Sequence, residues 1–143
     1  MTTVKYTKMH PDAVLPTKGT PSAAAYDLVA IEDAYIPLGE TVMVGTGLAM
    51  QIPEGWKGEI YSRSGLASQG IVVANSPGKI DSDYRGEIKV LIRNERVTDL
   101  VGIKKGDRIA QFEINPVHSI YFEESQDLDF TSRGVGGFGS TGK

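Results

Sequence analysis

Thr41-Val-Met-Val-Gly-Thr-Gly-Leu-Ala-Met-Gln-Ile52 is the stretch that decides the fold class. Val42, Val44, Leu48, Met50 and Ile52 fall in one alternating phase, with Thr46 the one polar residue in it, so an extended chain puts them all on one face. A helix would scatter them around its axis. Outward from this stretch the same pattern returns. Glu87-Ile-Lys-Val-Leu-Ile-Arg93 places Ile88, Val90 and Ile92 on one face. Arg108-Ile-Ala-Gln-Phe-Glu-Ile114 and Val117-His-Ser-Ile-Tyr-Phe122 are β-branched and aromatic runs that read as two further strands. Between the runs lie turn formers: Pro37-Leu-Gly39, Pro53-Glu-Gly55, Ser76-Pro-Gly78, Arg85-Gly86 and Lys105-Gly106-Asp107. Short strands joined by glycine-rich turns predict an all-β sandwich, jelly roll or barrel. Helical spacing is never sustained. Ser64-Gly-Leu-Ala-Ser-Gln69 has room for a turn or two of helix.

A chain of 143 residues suits one compact domain, and 40% hydrophobic residues suffice for a core. Mean hydropathy is −0.18, and no apolar run approaches the ~20 residues of a membrane helix. The first residues, Met1-Thr-Thr-Val-Lys-Tyr-Thr-Lys8, lack the apolar centre of a signal peptide. Without cysteine there are no disulfides or thiolate metal sites, and a reducing cytoplasm is the expected location. A net charge of −3 disfavours a general electrostatic hold on nucleic acid. Any phosphate ligand must be held by local groups.

From Glu123 the character changes. Residues 123–129 are polar and acidic, and residues 133–143 are mostly glycine, serine and threonine. The expected organisation is a β-rich core over 1–124 and a flexible arm over 125–143. Such a tail reads as a frayed terminus, yet Arg133 and Phe138 are odd choices for a linker. One cation and one aromatic on a flexible segment suit an anionic, planar ligand. Gly134-Val-Gly-Gly-Phe-Gly139 matches the spacing of a dinucleotide fingerprint, but that motif must open a helix, and only four residues follow. Residues 137–143 fail as a phosphate-binding P-loop for the same reason. Asp81-Ser-Asp83-Tyr-Arg85-Gly86 starts like a calcium loop, but Arg85 puts a cation at a ligand position and residue 92 is isoleucine.

Four other segments concentrate reactive side chains. Ala24-Ala-Tyr-Asp-Leu-Val-Ala30 sets Asp27 in an apolar strand, where a charge needs a partner. Tyr61-Ser-Arg-Ser-Gly-Leu-Ala67 offers the Arg63 guanidinium and the backbone N–H groups of Ser64 and Gly65. Residues 75–87 carry Asn75, a Pro-Gly turn at Gly78, then Ile80, Asp81, Tyr84 and Arg85. Gly106-Asp-Arg-Ile-Ala-Gln111 puts the polar Gln111 in mid-strand. His10, His118 and Trp56 attract no chemistry.

These four segments in this order, with the glycine-rich tail as a fifth, resemble the five motifs of the homotrimeric dUTPase family, from about residue 21 to residue 142. The resemblance implies a distorted β jelly roll (a β-clip) with one short helix, assembled as a homotrimer whose active sites draw on all three chains. It implies hydrolysis of dUTP to dUMP and pyrophosphate by water attack at the α-phosphorus, with Mg2+ held by the phosphates and water rather than directly by the protein. Such an enzyme supplies dUMP for dTTP synthesis and keeps uracil out of DNA. Asp81 then takes the water-activating role, with the alternative that it only bonds turn amides. Asp83, on the same face of an extended segment, is read as a solvated or structural charge. Tyr84 underlies the deoxyribose, where a 2′-hydroxyl would clash. Asn75 and backbone between residues 78 and 89, including Gly78, Ile80 and Lys89, read uracil. Arg63, Ser64, Gly65 and Gln111 meet phosphates and water, with Asp27 supporting them or forming a purely structural ion pair. Phe138 stacks on the base, and Arg133, Gly139, Ser140 and Thr141 close over the phosphates.

The chain departs from the family pattern at Ala25, usually glycine, at Ser62, usually proline, and at Lys79, commonly smaller or apolar and read here as pointing to solvent. A related deaminase acting on dCTP shares the fold, but its second motif has paired serines where this chain has Arg63-Ser-Gly65. A protein-binding role, which some phage relatives perform through inserted segments, has little room in 143 residues.

Overall fold

The computed structural model describes residues 2–140 and is almost entirely β. In chain order the elements are β1 (Lys5–Lys8), β2 (Tyr26–Val29), β3 (Ala34–Ile36), β4 (Thr41–Gln51) and β5 (Trp56–Tyr61). Then come α1 (Ser64–Ala67), β6 (Ile71–Val73), β7 (Gly78–Ile80), β8 (Glu87–Asn94), β9 (Val101–Ile103) and β10 (Arg108–Pro116). Two four-stranded sheets, ordered β1-β4-β8-β6 and β2-β10-β5-β7, are joined by a small β3-β9 ladder. Every strand pairing is antiparallel.

The in-phase residues form the core. Val44, Leu48, Met50 and Ile52 are buried, as are Ile88, Val90 and Ile92 on the neighbouring strand. From the other sheet come Leu28, Ile60, Ala110 and Phe112. Each of these side chains larger than alanine contributes about 1.5–3 kcal/mol relative to exposure. The phase survives a register shift in β4 between Gly45 and Ala49. Gly47 sits there at φ +67°, a conformation that side-chain-bearing residues avoid. The bulge's freed polar groups are satisfied: Thr46 Oγ1 donates to the Ile88 carbonyl at 2.7 Å, and the Gly47 N–H donates to Glu87 Oε1 at 2.9 Å.

The run from Val117 to Phe122 is not a strand. Regular structure ends at Pro116, and Val117, Ile120, Tyr121 and Phe122 are exposed. The residues have the shape for a strand, but beyond one bond from the Val117 N–H to the Gly55 carbonyl at 2.8 Å they join no ladder among the described residues. No helix among the described residues is long and apolar enough to cross a membrane.

Candidate active site

Asp27 lies on β2 and is buried despite its charge. Antiparallel pairing explains its partners. Gln111 of β10 stands opposite both Asp27 of β2 and Tyr61 of β5, so the three share one rung. Asp27 Oδ2 accepts from Arg108 Nη1 at 3.1 Å, and Oδ1 lies 3.0 Å from Arg63 Nε. That second contact is an ion pair without a well-aligned hydrogen bond, since the buried Nε lacks one. Arg63 is held instead by Nη1, which donates to the Arg108 carbonyl at 2.8 Å. The first, second and fourth motifs therefore converge around one carboxylate.

Arg63 immediately precedes α1, whose exposed Ser64 and Gly65 open the first turn with no side-chain cap. Arg63, Arg96 and Arg108 line one cleft beside this turn. Three guanidinium groups on one cleft suit an anion with several oxygens.

Asp81 lies elsewhere. β7 pairs with β5 in the register Gly58 with Ile80 and Ile60 with Gly78. Asp81 thus leaves the sheet at the Lys57 end of β5, whereas Arg63 leaves it past Tyr61 at the other end. At ~3.3 Å per residue, the two are roughly 16–20 Å apart. Asp81 and Asp83 are exposed and line a second cleft with Glu54, Trp56, Lys57 and Arg85. The expected same-face geometry of Asp81 and Asp83 does not hold, because the chain turns there: the Tyr84 N–H donates to the Asp81 carbonyl at 3.2 Å. The Asp81 carboxylate accepts no hydrogen bond from the described residues, so it is not a turn-capping group.

Around Asp81 the hairpin is tightly built. Tyr84, 43% exposed, donates from its hydroxyl to the Glu87 carbonyl at 3.0 Å and folds across Gly86. A Cβ on Gly86 would stand 2.4 Å from that hydroxyl, so no larger residue fits beneath the ring. Gly78 is buried, with the Asn75 side chain over it, and Ile80 is half-buried. Lys89 lies on β8, in the other sheet, exposed and 3.5 Å from Glu87 Oε2.

The tail stands apart from both clefts. Among the described residues, the turns from Thr131 to Ser140 hydrogen-bond only within that segment, including Arg133 Nε to the Gly136 carbonyl at 2.9 Å. Phe138 is fully exposed, and Gly139 and Ser140 are exposed with it. Thr141 lies outside the described residues. One chain thus presents three separate groups of site residues: an arginine cleft, an aspartate hairpin and a tail.

A family model described as dUTPase matches residues 12–142. The chain belongs to the dUTPase family. The deoxyuridine 5'-triphosphate nucleotidohydrolase of Nautilia profundicola is 50% identical over 141 residues, covering 98% of this chain and 99% of that protein. The enzyme of the same name from Helicobacter hepaticus is 47% identical, covering 97% and 88%. Among solved structures, the Staphylococcus bacteriophage 80alpha dUTPase with dUpNHpp superposes with a TM-score of 0.87 at 27% identity, covering 99% of each chain. The all-β fold expected from the strand pattern is therefore the dUTPase fold.

Within this dUTPase the unusual second-motif residue has a role. The Ser62 hydroxyl accepts the Val73 N–H at 2.8 Å, and the Ser62 N–H lies 3.4 Å from Ser76 Oγ. Ser62 thus ties the loop before Arg63 to β6 and to the turn before β7. Two further features escaped the sequence reading. Arg108 partners Asp27 across 81 positions of chain, a pairing visible only once β2 and β10 are neighbours. Glu59, buried on β5, gathers four polar partners: the side chains of Lys79, Lys57 at 3.1 Å, Tyr61 at 3.0 Å and Asn115 at 2.7 Å. Lys79 therefore does not simply point to solvent; its ammonium bonds Glu59.

Proposed function

We propose that this dUTPase hydrolyses dUTP to dUMP and pyrophosphate in a homotrimer whose active sites are shared between chains. The observation that carries the reading is the placement of the exposed Asp81 carboxylate, beside Tyr84, at one end of β5 and the arginine cleft at the other. Groups so far apart serve one triphosphate only if different chains contribute them. The 50% identical Nautilia relative, a deoxyuridine 5'-triphosphate nucleotidohydrolase, supports the substrate.

In this reading Asp81 accepts a proton from water as its oxygen bonds to the α-phosphorus and the bond to the bridging oxygen breaks, releasing pyrophosphate. Such base assistance is typically worth about 10²–10⁴-fold. Arg63, Gln111 and the backbone N–H groups of Ser64 and Gly65 hold phosphate oxygens and water, with Asp27 fixing Arg63. Tyr84 packs under the deoxyribose, where a 2′-hydroxyl would clash, and Gly86 leaves the space its ring occupies. Asn75 and the backbone of Gly78, Ile80 and Lys89 read the uracil edge, which alternates acceptor, donor and acceptor. Phe138 stacks on the base while Arg133, Gly139, Ser140 and Thr141 cover the phosphates. The arm over 125–143 is thus a lid on a core over 1–124, supported by the end of regular structure at Pro116.

In this reading the donor set for Mg2+ is the triphosphate's own oxygens, with water completing the shell. Bound there, Mg2+ would supply neutralisation of the charge that develops on the leaving pyrophosphate. The cytoplasm, where dUTP arises, is the proposed location.

A substrate screen with magnesium tests the activity. Pyrophosphate release is expected from dUTP, with UTP, dCTP and dTTP far slower. Ammonia release from dCTP would assign the chain to the deaminase branch instead.

A further inference from the structure

β7 is three residues long and lies at the edge of its sheet, paired only with β5. Three residues of ladder are a weak hold on a segment. Yet Gly78, Ile80 and Asp81 all depend on where β7 lies. Of the β7 side chains, Ile80 faces the core side, and Gly78 has none. Lys79 alone projects to the opposite face. There it stands directly across from Glu59, its register partner on β5. Glu59 is 6% exposed and is itself anchored: Asn115 Nδ2 reaches it from β10 at 2.7 Å, and the Tyr61 hydroxyl and Lys57 ammonium reach it from β5. The Lys79 ammonium bonds the same Oε1 that Lys57 approaches. One buried carboxylate therefore ties three strands together, and its only side-chain link to β7 is Lys79.

We infer that Glu59, through Lys79, is a positioning residue for dUTP hydrolysis, holding the β7 hairpin so that Gly78, Ile80 and Asp81 meet the nucleotide in register. The inference rests on the proposed roles of those three residues. Neither Glu59 nor Lys79 reaches the substrate in this account. The bonding is charge-assisted on a carboxylate that the Lys79 ammonium holds well below its ordinary range. A cross-strand pair of this kind adds a tether perpendicular to the strands, where backbone pairing alone leaves an edge free to shift.

The test is a double-mutant cycle in the full-length protein with Glu59→Gln, Lys79→Gln and the two combined. Glu59→Gln keeps the size and the neutral hydrogen bonds to Tyr61 and Asn115, while Lys79→Gln leaves Glu59 paired with Lys57 and guards against a folding defect. Each single variant is expected to lower kcat/KM for dUTP about tenfold, since small displacements of reacting groups are costly. The double variant should fall no further, because both residues act through one contact. Amide hydrogen exchange of residues 78–81, measured without nucleotide, should accelerate in both single variants. Losses that add in the double variant, or kcat/KM within about twofold of wild type beside a lowered melting temperature, would show a merely structural pair. If exchange accelerates while wild type itself fails to turn over dUTP, the proposed function fails and the tether stands. Unchanged exchange with intact dUTP turnover overturns the tether alone.

Discussion

Asp81 and Arg63 lie beyond opposite ends of β5, with Ile80 pairing Gly58 at one end and Arg63 following Tyr61 at the other. The separation of roughly 16–20 Å follows from the rise of a strand and does not depend on side-chain rotamers. In the proposed homotrimer it makes each chain a donor of half-sites, with the Asp27–Arg63–Arg108 cluster and the Asp81 hairpin as separable modules.

Asp81→Asn should reduce dUTP turnover by about 10²–10⁴-fold, the typical worth of a positioned general base. Because the carboxylate accepts no hydrogen bond from the described residues, melting temperature and assembly should match wild type. Steady-state kinetics beside a thermal melt checks both halves, and full activity would remove Asp81 from the mechanism.

Asp27→Asn should act in the opposite proportion. It leaves two guanidinium groups without their shared anion, and removing one partner of a buried polar contact costs about 1–3 kcal/mol. Urea unfolding at fixed protein concentration should show that loss, and KM for dUTP should rise as Arg63 loses its orientation. Wild-type stability would mean that solvent substitutes freely for Asp27.

Much of this was readable in the chain, and the exceptions share a cause. The alternation at Val42 to Ile52 and at Ile88 to Ile92 was legible because one face of each strand meets one core. The same rule misled at Val117 to Phe122, because β-branched residues show that a segment fits a strand, not that its own chain holds an edge for it. Asp27 announced its need for a partner, but the identity of Arg108, 81 positions away, depended on strand order. Glu59 looked like an ordinary polar residue between Gly58 and Ile60, since nothing in local sequence marks it as the meeting point of β10, β5 and β7.

The pH dependence of stability should carry the mark of Glu59. Its neighbours on that face are Lys79, Lys57, Tyr61, Asn115 and Glu113. Hydrogen bonding from Lys79 is the main influence that lowers its pKa from 4.5 to about 2. A lowered folded value means that the unfolded chain takes up the proton first as pH falls. The contribution is therefore complete above the unfolded value and lost as pH falls through about 2. Acid melts of wild type and Glu59→Gln should diverge above that window and converge below it. A constant gap across the window would contradict the assignment.

Removing residues 133–143 should leave a folded protein of unchanged assembly and stability, because the described part of that segment bonds only to itself and to Thr131 just before it. Turnover of dUTP should be crippled, since the groups assigned to the base face and the phosphates go with it. Circular dichroism and light scattering report the first outcome, and kinetics the second. Unfolding on truncation would make the tail structural rather than a lid.

Subunit complementation tests the shared site most directly. Asp81→Asn and Arg63→Ala homotrimers should each be nearly inactive. After the two are unfolded together in equal amounts and refolded, random assembly gives about one site in four an intact Asp81 from one chain and an intact Arg63 from its neighbour. The account predicts recovery of roughly a quarter of wild-type dUTP turnover in that mixture. A mixture no more active than its two components would mean that both residues serve the same site from the same chain, and would contradict it.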